Sequence, residues 1–302
     1  MSTVCRLFGK TRQGWYKQQA NLDNVVLKEA IILRHVQELR RQMPRIGGRK
    51  LHFLLEPLLA QHQISLGRDK LLGILFDYGL LVRRRKRRKV FTTDSNHPFK
   101  KYPNLVKDME VSRPEHLWVS DITYIPLKEK FCYLSLVTDA YSRRIVGYCL
   151  WPNLKKEGPL NALAMAIESR QRTNAELIHH SDRGLQYCCS DYISMLNKEH
   201  ISISMTEKGD PYENALAERI NGILKAEFGL DKTFDSYQQA RIAVSTAISV
   251  YNNNRPHASI NYLTPEQAHQ QNGQIPARWK SRKQRVKEWN NKEAYTFTEP
   301  NF

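Results

Sequence analysis

The sequence contains few cysteines and no long apolar run. Its five cysteines in 302 residues include no CxxC pair or other zinc spacing, so zinc modules and disulfide scaffolds are excluded. No apolar run approaches the ~18 residues that span a membrane, and the N-terminus lacks the apolar segment of a signal peptide. We therefore expect a soluble, cytoplasmic protein with reduced thiols and no membrane partner.

Acidic residues are also scarce relative to basic ones. The chain has 47 lysines and arginines against 30 aspartates and glutamates, a net charge of +17. Residues 1–110 hold 23 basic and 9 acidic residues, a balance of +14, whereas the rest holds 24 and 21, a balance of +3. A surface charge that serves only solubility would explain the positive sign of the net charge but not its uneven distribution along the chain. The first third is therefore predicted to bind a polyanion, most simply DNA.

Turn-forming residues divide the chain into predicted domains. Three helical patterns, at 24–43, 49–61 and 68–78, precede a stretch whose prolines indicate a loop. The predicted domains are a basic, helical, DNA-binding region over 1–91, a linker over 92–115, a core with a helical extension over 116–272, and a basic tail over 273–302. By pattern alone, the helices of the first region fit either a helix-turn-helix or a plain bundle.

Strand and helix patterns alternate in the core. Three strand patterns, at 117–125, 131–138 and 144–150, are separated by polar turns and predict an antiparallel meander. The remaining predictions are helices at 159–173, 190–199 and 236–251, strands at 176–180 and 201–205, and a helix that carries Glu218. Five strands with flanking helices place the core in the α/β class.

Three acidic residues occupy positions where these elements would converge. Asp121 lies in the first strand pattern, Asp182 follows the fourth, and Glu218 lies on a predicted helix, with 60 and then 35 residues between them. The polar face of that helix carries a recurring set: Asn214, Glu218, Asn221 and Lys225. Glu218 is therefore predicted to face the strand ends.

Such a cluster has a specific chemistry. Carboxylate oxygens favour Mg²⁺ or Mn²⁺ over zinc, and two such ions ~4 Å apart can activate a hydroxyl nucleophile on a phosphodiester. Ordinary solvated surface is the alternative, because 30 acidic residues offer many triples. Asp139 also ends a strand pattern, but it lies close to Asp121 in sequence and is predicted to shape a turn.

Motifs around these residues resemble those of a known group of enzymes. HSDRG surrounds Asp182, AERINGILK places Lys225 seven residues after Glu218, and YNNNRPHASINYLTPEQA occupies residues 251–268. These motifs and the acidic spacing resemble the catalytic core of DDE transposases and retroviral integrases, and more narrowly the second-reading-frame product of the insertion-sequence-three family. The resemblance covers roughly residues 1–270 and is strongest over 116–268.

The resemblance implies a fold, an activity and partners. The fold is a ribonuclease H-like integrase core with a mixed five-stranded sheet and flanking helices, preceded by the helical basic region. Asp121, Asp182 and Glu218 are implied to be catalytic residues that bind two Mg²⁺ ions, for which Mn²⁺ substitutes. The implied reaction is cleavage and strand transfer at the ends of an insertion sequence. The implied partners are double-stranded DNA, further copies of the chain, and an upstream-frame protein or frameshift fusion.

Several basic residues are candidate DNA contacts. Lys225 lies on the same helix face as Glu218, and Arg183 follows Asp182, so each could bind a DNA phosphate near the acidic residues. The alternative is an ordinary exposed lysine for Lys225 and a turn residue for Arg183. A basic run is predicted to contact phosphates without reading sequence, the alternatives being a solvated, disordered segment or an import signal. The run consists of Arg83, Arg84, Arg85, Lys86, Arg87, Arg88 and Lys89.

Two other functions are compatible with the sequence. A related metal-dependent nuclease would hydrolyse DNA without strand transfer, and a DNA-binding regulator would keep the fold with an inactive core. The complete acidic triad disfavours the regulator. His179 and His180 stand beside Asp182 and could serve the site, but a histidine beside a strand more often packs, so packing is the expectation for both.

Overall fold

The structure of the chain, a computed structural model, describes residues 9, 11–82, 98–107, 109–207 and 214–276. Two compact units are present: one comprises residues 1–90 with 222–232, and the other comprises 91–221 with 233–302. The basic run from Arg83 to Lys89 and the tail beyond residue 276 lie outside the described residues. In the described ranges, no helix combines the length and apolar character needed to cross a membrane.

The first unit is helical, as its sequence pattern predicts. It contains α1 (Arg12–Gln42), α2 (Gly48–Ala60) and α3 (Arg68–Asp77). The helix α1 begins well before the predicted start at residue 24, because the Thr11 side chain accepts a hydrogen bond from the Gly14 amide and caps the helix there. The other two helices agree with the patterns at 49–61 and 68–78 to within one residue.

Aliphatic side chains hold these helices together. The buried positions recur at helical spacing and are Ile32 and Val36 of α1, Leu51, Leu55 and Leu59 of α2, and Leu71, Ile74 and Leu75 of α3. A Cβ atom on Gly48 would lie 2.7 Å from Leu72 Cδ2, so glycine allows α2 and α3 to approach closely. Within the same unit, Lys50 Nζ forms an ion pair of 2.9 Å with Glu227 Oε1.

The second unit is built on a mixed sheet. Its strands are β1 (Leu117–Pro126), β2 (Phe131–Asp139), β3 (Ile145–Trp151), β4 (Ile178–Ser181) and β5 (Ser202–Met205), in the spatial order β3-β2-β1-β4-β5. The first three form the predicted antiparallel meander. The strand β4 is parallel to β1, and β5 is parallel to β4. The mixed five-stranded sheet is therefore confirmed.

Helices flank this sheet. They are α4 (Glu157–Glu168), α5 (Leu185–Cys188), α6 (Ser190–Lys198), α7 (Ala215–Phe228), α8 (Tyr237–Asn254) and α9 (Pro265–His269). The helix α4 ends five residues before the predicted 173, because Ser169 caps it and donates from its hydroxyl to the Ala166 and Val146 carbonyls. A Cβ atom on Gly147 of β3 would lie 2.0 Å from the Ala162 carbonyl oxygen, so only glycine lets α4 pack at this distance.

Candidate active site

The parallel pairing of β1 and β4 sets two carboxylates side by side. The register places Val119 opposite His180, and β4 ends at Ser181. The same register continued by two residues places Asp121 beside Asp182. Residues that are 61 positions apart in the chain thus meet at the end of a strand, which is where open α/β sheets commonly carry their sites.

The pKa of Asp121 is changed by burial and by the charges of Asp182 and Glu218. Burial raises the pKa of Asp121 to about 7, with a further increase from the charge of Asp182. Hydrogen bonds from Asn221 and from the Ile122 amide oppose this rise in pKa, whereas Glu218 adds a smaller effect of the same sign as Asp182. The charges of Asp182 and Glu218 thus both act on buried Asp121, and a bound cation would offset their effect on its pKa.

The turn after β4 orients the second carboxylate. The Gly184 amide donates a hydrogen bond of 3.0 Å to Asp182 Oδ1. A Cβ atom on Gly184 would lie 3.0 Å from that same oxygen, while its φ of −66° is ordinary for any residue. Glycine at this position therefore leaves space beside the Asp182 carboxylate, and its backbone angle is one that any residue adopts.

Glu218 lies in the first turn of α7, and its side chain is exposed. Its amide donates to the Asn214 carbonyl at 3.2 Å, which fixes the helix start at this point. Among the described residues, no three His, Cys, Asp or Glu side chains are grouped closely enough to hold one metal ion. The structure thus brings Asp121 and Asp182 together and leaves Glu218 nearby without a closed ligand set.

Two asparagines on α7 connect the helix to β1. Asn221 Nδ2 donates to Asp121 Oδ2 at 2.8 Å, and Asn214 Nδ2 donates to the Ser120 carbonyl at 3.0 Å. Both side chains are buried. The sequence placed both on the polar face with Glu218, and that recurrence was the signal for their role, although neither was singled out as a site residue.

The two histidines of β4, His179 and His180, are buried and hydrogen-bonded. His179 Nε2 lies 2.7 Å from Ser120 Oγ and 2.9 Å from the Tyr192 hydroxyl. Burial, helped by neighbouring His180, lowers the pKa of His179 to about 3, so its ring is uncharged. His180 Nδ1 lies 2.8 Å from Ser204 Oγ. These contacts are those of packed histidines, which agrees with the expectation from sequence.

Asp139 belongs to a different, structural network. Its Oδ1 accepts from the Ser142 amide at 2.8 Å and hydroxyl at 2.7 Å, and its Oδ2 accepts from the Glu115 amide at 2.7 Å. His269 Nδ1 lies 3.8 Å from Oδ1. Burial acts to raise the pKa of Asp139, but His269 and Ser142 outweigh burial and hold the pKa below its ordinary value. Asp139 shapes the turn after β2, as predicted.

The candidate DNA contacts fall in different parts of the chain. Lys225 is partly buried on α7, in the segment 222–232 that belongs to the first unit. Arg183 is partly buried in the turn between Asp182 and Gly184. The seven residues from Arg83 to Lys89 lie outside the described residues.

Comparison with known proteins identifies the class of protein to which this chain is similar. A family model described as "Integrase core domain" matches residues 111–211, and a second with the same description matches residues 199–265. The catalytic core domain of HTLV-2 integrase, solved with magnesium, is 20% identical, covers 52% of this chain and 97% of its own, and has a TM-score of 0.42. The sheet topology and the paired aspartates define a ribonuclease H-like integrase core.

Curated relatives narrow the class further. The insertion element IS600 uncharacterized 31 kDa protein of Shigella sonnei is 32% identical over 270 residues, covering 87% of this chain and 96% of that protein. Transposase InsF for insertion sequence IS3fB, from Escherichia coli strain K12, is 36% identical over 169 residues, which are 56% of this chain and 58% of that protein. The chain belongs to the integrase-core family of insertion-sequence transposases.

Proposed function

We propose that this transposase cuts DNA at the ends of its own insertion sequence and joins the freed 3′ ends to a target. The observation that carries the proposal is the coupling of Asp121 with Asp182 across adjacent parallel strands, with Glu218 on the helix beside them. A site for phosphodiester chemistry needs concentrated negative charge that binds cations, and these residues provide it.

Asp121, Asp182 and Glu218 are the residues that would hold two Mg²⁺ ions, with Mn²⁺ as a substitute. The fit rests on an all-oxygen set and on the position of Asp121, whose pKa is raised first by burial and then by the charge of Asp182, so that a bound cation would favour its ionised form. Glu218 is exposed, so its side chain has room to turn toward the aspartates. When bound, such ions supply an activated hydroxyl nucleophile and stabilise the leaving oxygen.

The protein positions these carboxylates from several sides. Asn221 holds one oxygen of Asp121 and the Ile122 amide holds the other, at 2.8 Å each. The Gly184 amide holds Asp182. Buried His179 adds no positive charge that would compete with a cation, because burial keeps its pKa near 3 and its ring is therefore uncharged.

DNA contacts complete the proposal. Lys225 and Arg183 would bind phosphates near the cut, and the run from Arg83 to Lys89 would bind the backbone without sequence preference. The partners are the element ends, a target duplex, further copies of the chain, and an upstream-frame protein or frameshift fusion. The chain would act in the cytoplasm, on DNA.

Charge-removing substitutions test the site. Asp121→Asn, Asp182→Asn and Glu218→Gln should each abolish Mg²⁺-dependent cleavage of an element-end duplex while leaving DNA binding largely intact, because each removes a ligand charge and little volume. The measurements are a gel cleavage assay and a binding isotherm. As the matched control, Asp191→Asn removes an exposed carboxylate that accepts hydrogen bonds from Lys156 and Ser190, and this variant should cleave normally. If one of the three variants cuts at the wild-type rate, that residue is not in the site.

A further inference from the structure

The orientation of the Asn221 amide is fixed by its neighbour. Its Nδ2 lies 2.8 Å from Asp121 Oδ2, and the side chain is 5% exposed. An ionised carboxylate, the form of Asp121 that would bind a cation, only accepts hydrogen bonds, so the amide nitrogen faces Asp121. Turning the amide over would set two oxygen acceptors against each other. The amide oxygen Oδ1 therefore points away from the Asp121 contact.

This oxygen has no hydrogen-bond partner among the residues that the structure describes, although it is buried. A buried acceptor without a partner costs ~1 to 3 kcal/mol, and such atoms usually mark the place of a water or a ligand. Since Asn221 touches a carboxylate of the acidic pair, the missing partner belongs at or beside the reacting centre. The partner must also carry a hydrogen, because Oδ1 can only accept.

We propose that Asn221 is a further catalytic residue, whose Oδ1 accepts a hydrogen bond from the O–H group of the nucleophile. The inference rests on the proposed function, in which the nucleophile is water during cleavage and a DNA 3′-hydroxyl during joining. Phosphate oxygens and the leaving oxygen carry no hydrogen to donate, so the nucleophile is the reacting group that matches. An amide oxygen is too weak a base to take the proton, so its effect is to orient the attacking oxygen.

Three variants test this role. Asn221→Ala removes both amide contacts, whereas Asn221→Asp keeps an acceptor oxygen and removes the donor to Asp121. Leu196→Ala, at a fully buried position of α6, controls for lost stability. Single-turnover cleavage of pre-bound element-end DNA is measured across a Mg²⁺ titration. The Mg²⁺-induced rise in Tm without DNA gives a second readout that does not depend on activity.

The inference predicts a loss of rate without a loss of metal response. Asn221→Ala should be slower at saturating Mg²⁺ by about tenfold, from one lost hydrogen bond in the transition state, with an unchanged half-saturating Mg²⁺ concentration and Tm response. Asn221→Asp keeps an acceptor oxygen and should be slowed less than Asn221→Ala at saturating Mg²⁺, whereas Leu196→Ala should stay within about threefold of wild type per folded molecule.

Other outcomes would overturn it. If extra Mg²⁺ restores the Asn221→Ala rate, or if that variant loses the Tm response, Asn221 serves the metal site and not the nucleophile. Equal damage in Asn221→Asp and Asn221→Ala would also exclude the acceptor role. A wild-type protein that neither cleaves nor responds to Mg²⁺ contradicts the proposed function itself, and an active wild type with a normal Asn221→Ala contradicts only this inference.

Discussion

Two aspartates of the sheet, Asp121 and Asp139, have opposite electrostatic surroundings. Burial and the nearby charge of Asp182 raise the pKa of Asp121 to about 7. Burial also acts to raise the pKa of Asp139, but nearby His269 and the hydrogen bonds from Ser142 bring this pKa below the ordinary value. A carboxylate that the fold penalises marks a place where function opposes stability, whereas a satisfied carboxylate marks a structural role.

This contrast predicts opposite effects of removing each charge. With no divalent cation present, Asp121 favours its protonated form in the folded state, so its cost to stability grows as the pH rises from about 4 to 7. Asp121→Asn should therefore raise Tm at pH 8 by roughly 5 °C, and the gain should vanish at acid pH.

Asp139→Asn is the matched control and should lower Tm at pH 8. Its depressed pKa means that the ionised carboxylate stabilises the fold above the unfolded pKa, and that this stabilisation is lost as the pH falls through the folded value. Calorimetric scans at several pH values in EDTA measure both variants. A fall in Tm for Asp121→Asn at pH 8 would show that the acidic pair is not strained.

At the scale of helices and strands, the sequence predicts those elements whose apolar residues alternate or recur at helical spacing. The strands β1, β2 and β3 were placed within one residue at each end, because their apolar residues run between clear polar turns. The short helix α5 was missed, since four residues carry no periodicity. The start of α1 and the end of α4 differ from prediction because capping contacts of Thr11 and Ser169 decide them.

The candidate site likewise combines residues that the sequence identifies with contacts that only the structure shows. Spacing and motifs identified Asp121, Asp182 and Glu218, but their proximity depends on the register between β1 and β4, which is a long-range property. The polar face of α7 was visible in the sequence, whereas the contact of Asn221 with Asp121 was not. Sequence therefore shows which residues are polar on a helix, and the structure shows which of them meet the sheet.

Close packing of α4 on β3 gives a prediction at this scale. Gly147→Ala should destabilise the protein by about 1 to 3 kcal/mol, because its Cβ would lie 2.0 Å from the rigid Ala162 carbonyl oxygen. Gly73→Ala is the control, since Gly73 lies inside α3 with nothing within 4 Å of a Cβ atom. That change should stabilise by about 0.5 to 1 kcal/mol. Denaturant unfolding measures both, and equal stability of the two variants would contradict the packing.

At the scale of the whole molecule, the basic residues and the two aspartates Asp121 and Asp182 are unevenly distributed along the chain. Residues 1–110 carry a net charge of +14, whereas Asp121 and Asp182 lie in the unit of residues 91–221 with 233–302. Under the proposed function, this distribution would separate affinity for the DNA backbone from the chemistry of the cut. Backbone contacts add binding energy but no sequence information.

Replacing the seven residues from Arg83 to Lys89 with serine tests that division. Binding to every DNA sequence should weaken by a similar factor, and the slope of log affinity against log salt should flatten by roughly 0.9 per lost phosphate contact. Filter binding at several salt concentrations measures the slope. Replacing exposed Lys155 and Lys156 together provides a smaller charge change as a control. An unchanged slope in the Arg83–Lys89 variant would mean that the run contacts no phosphate.

The most direct measurement of the central claim is strand joining by the purified protein. A duplex of the element end with a free 3′-hydroxyl is mixed with target DNA and Mg²⁺, and the covalently joined product is quantified. Wild type should form the product in a single transesterification, whereas EDTA or Asp182→Asn should abolish it. A wild-type protein that cuts the end but never joins it would be a nuclease, and joining by Asp182→Asn at the wild-type rate would place the chemistry elsewhere.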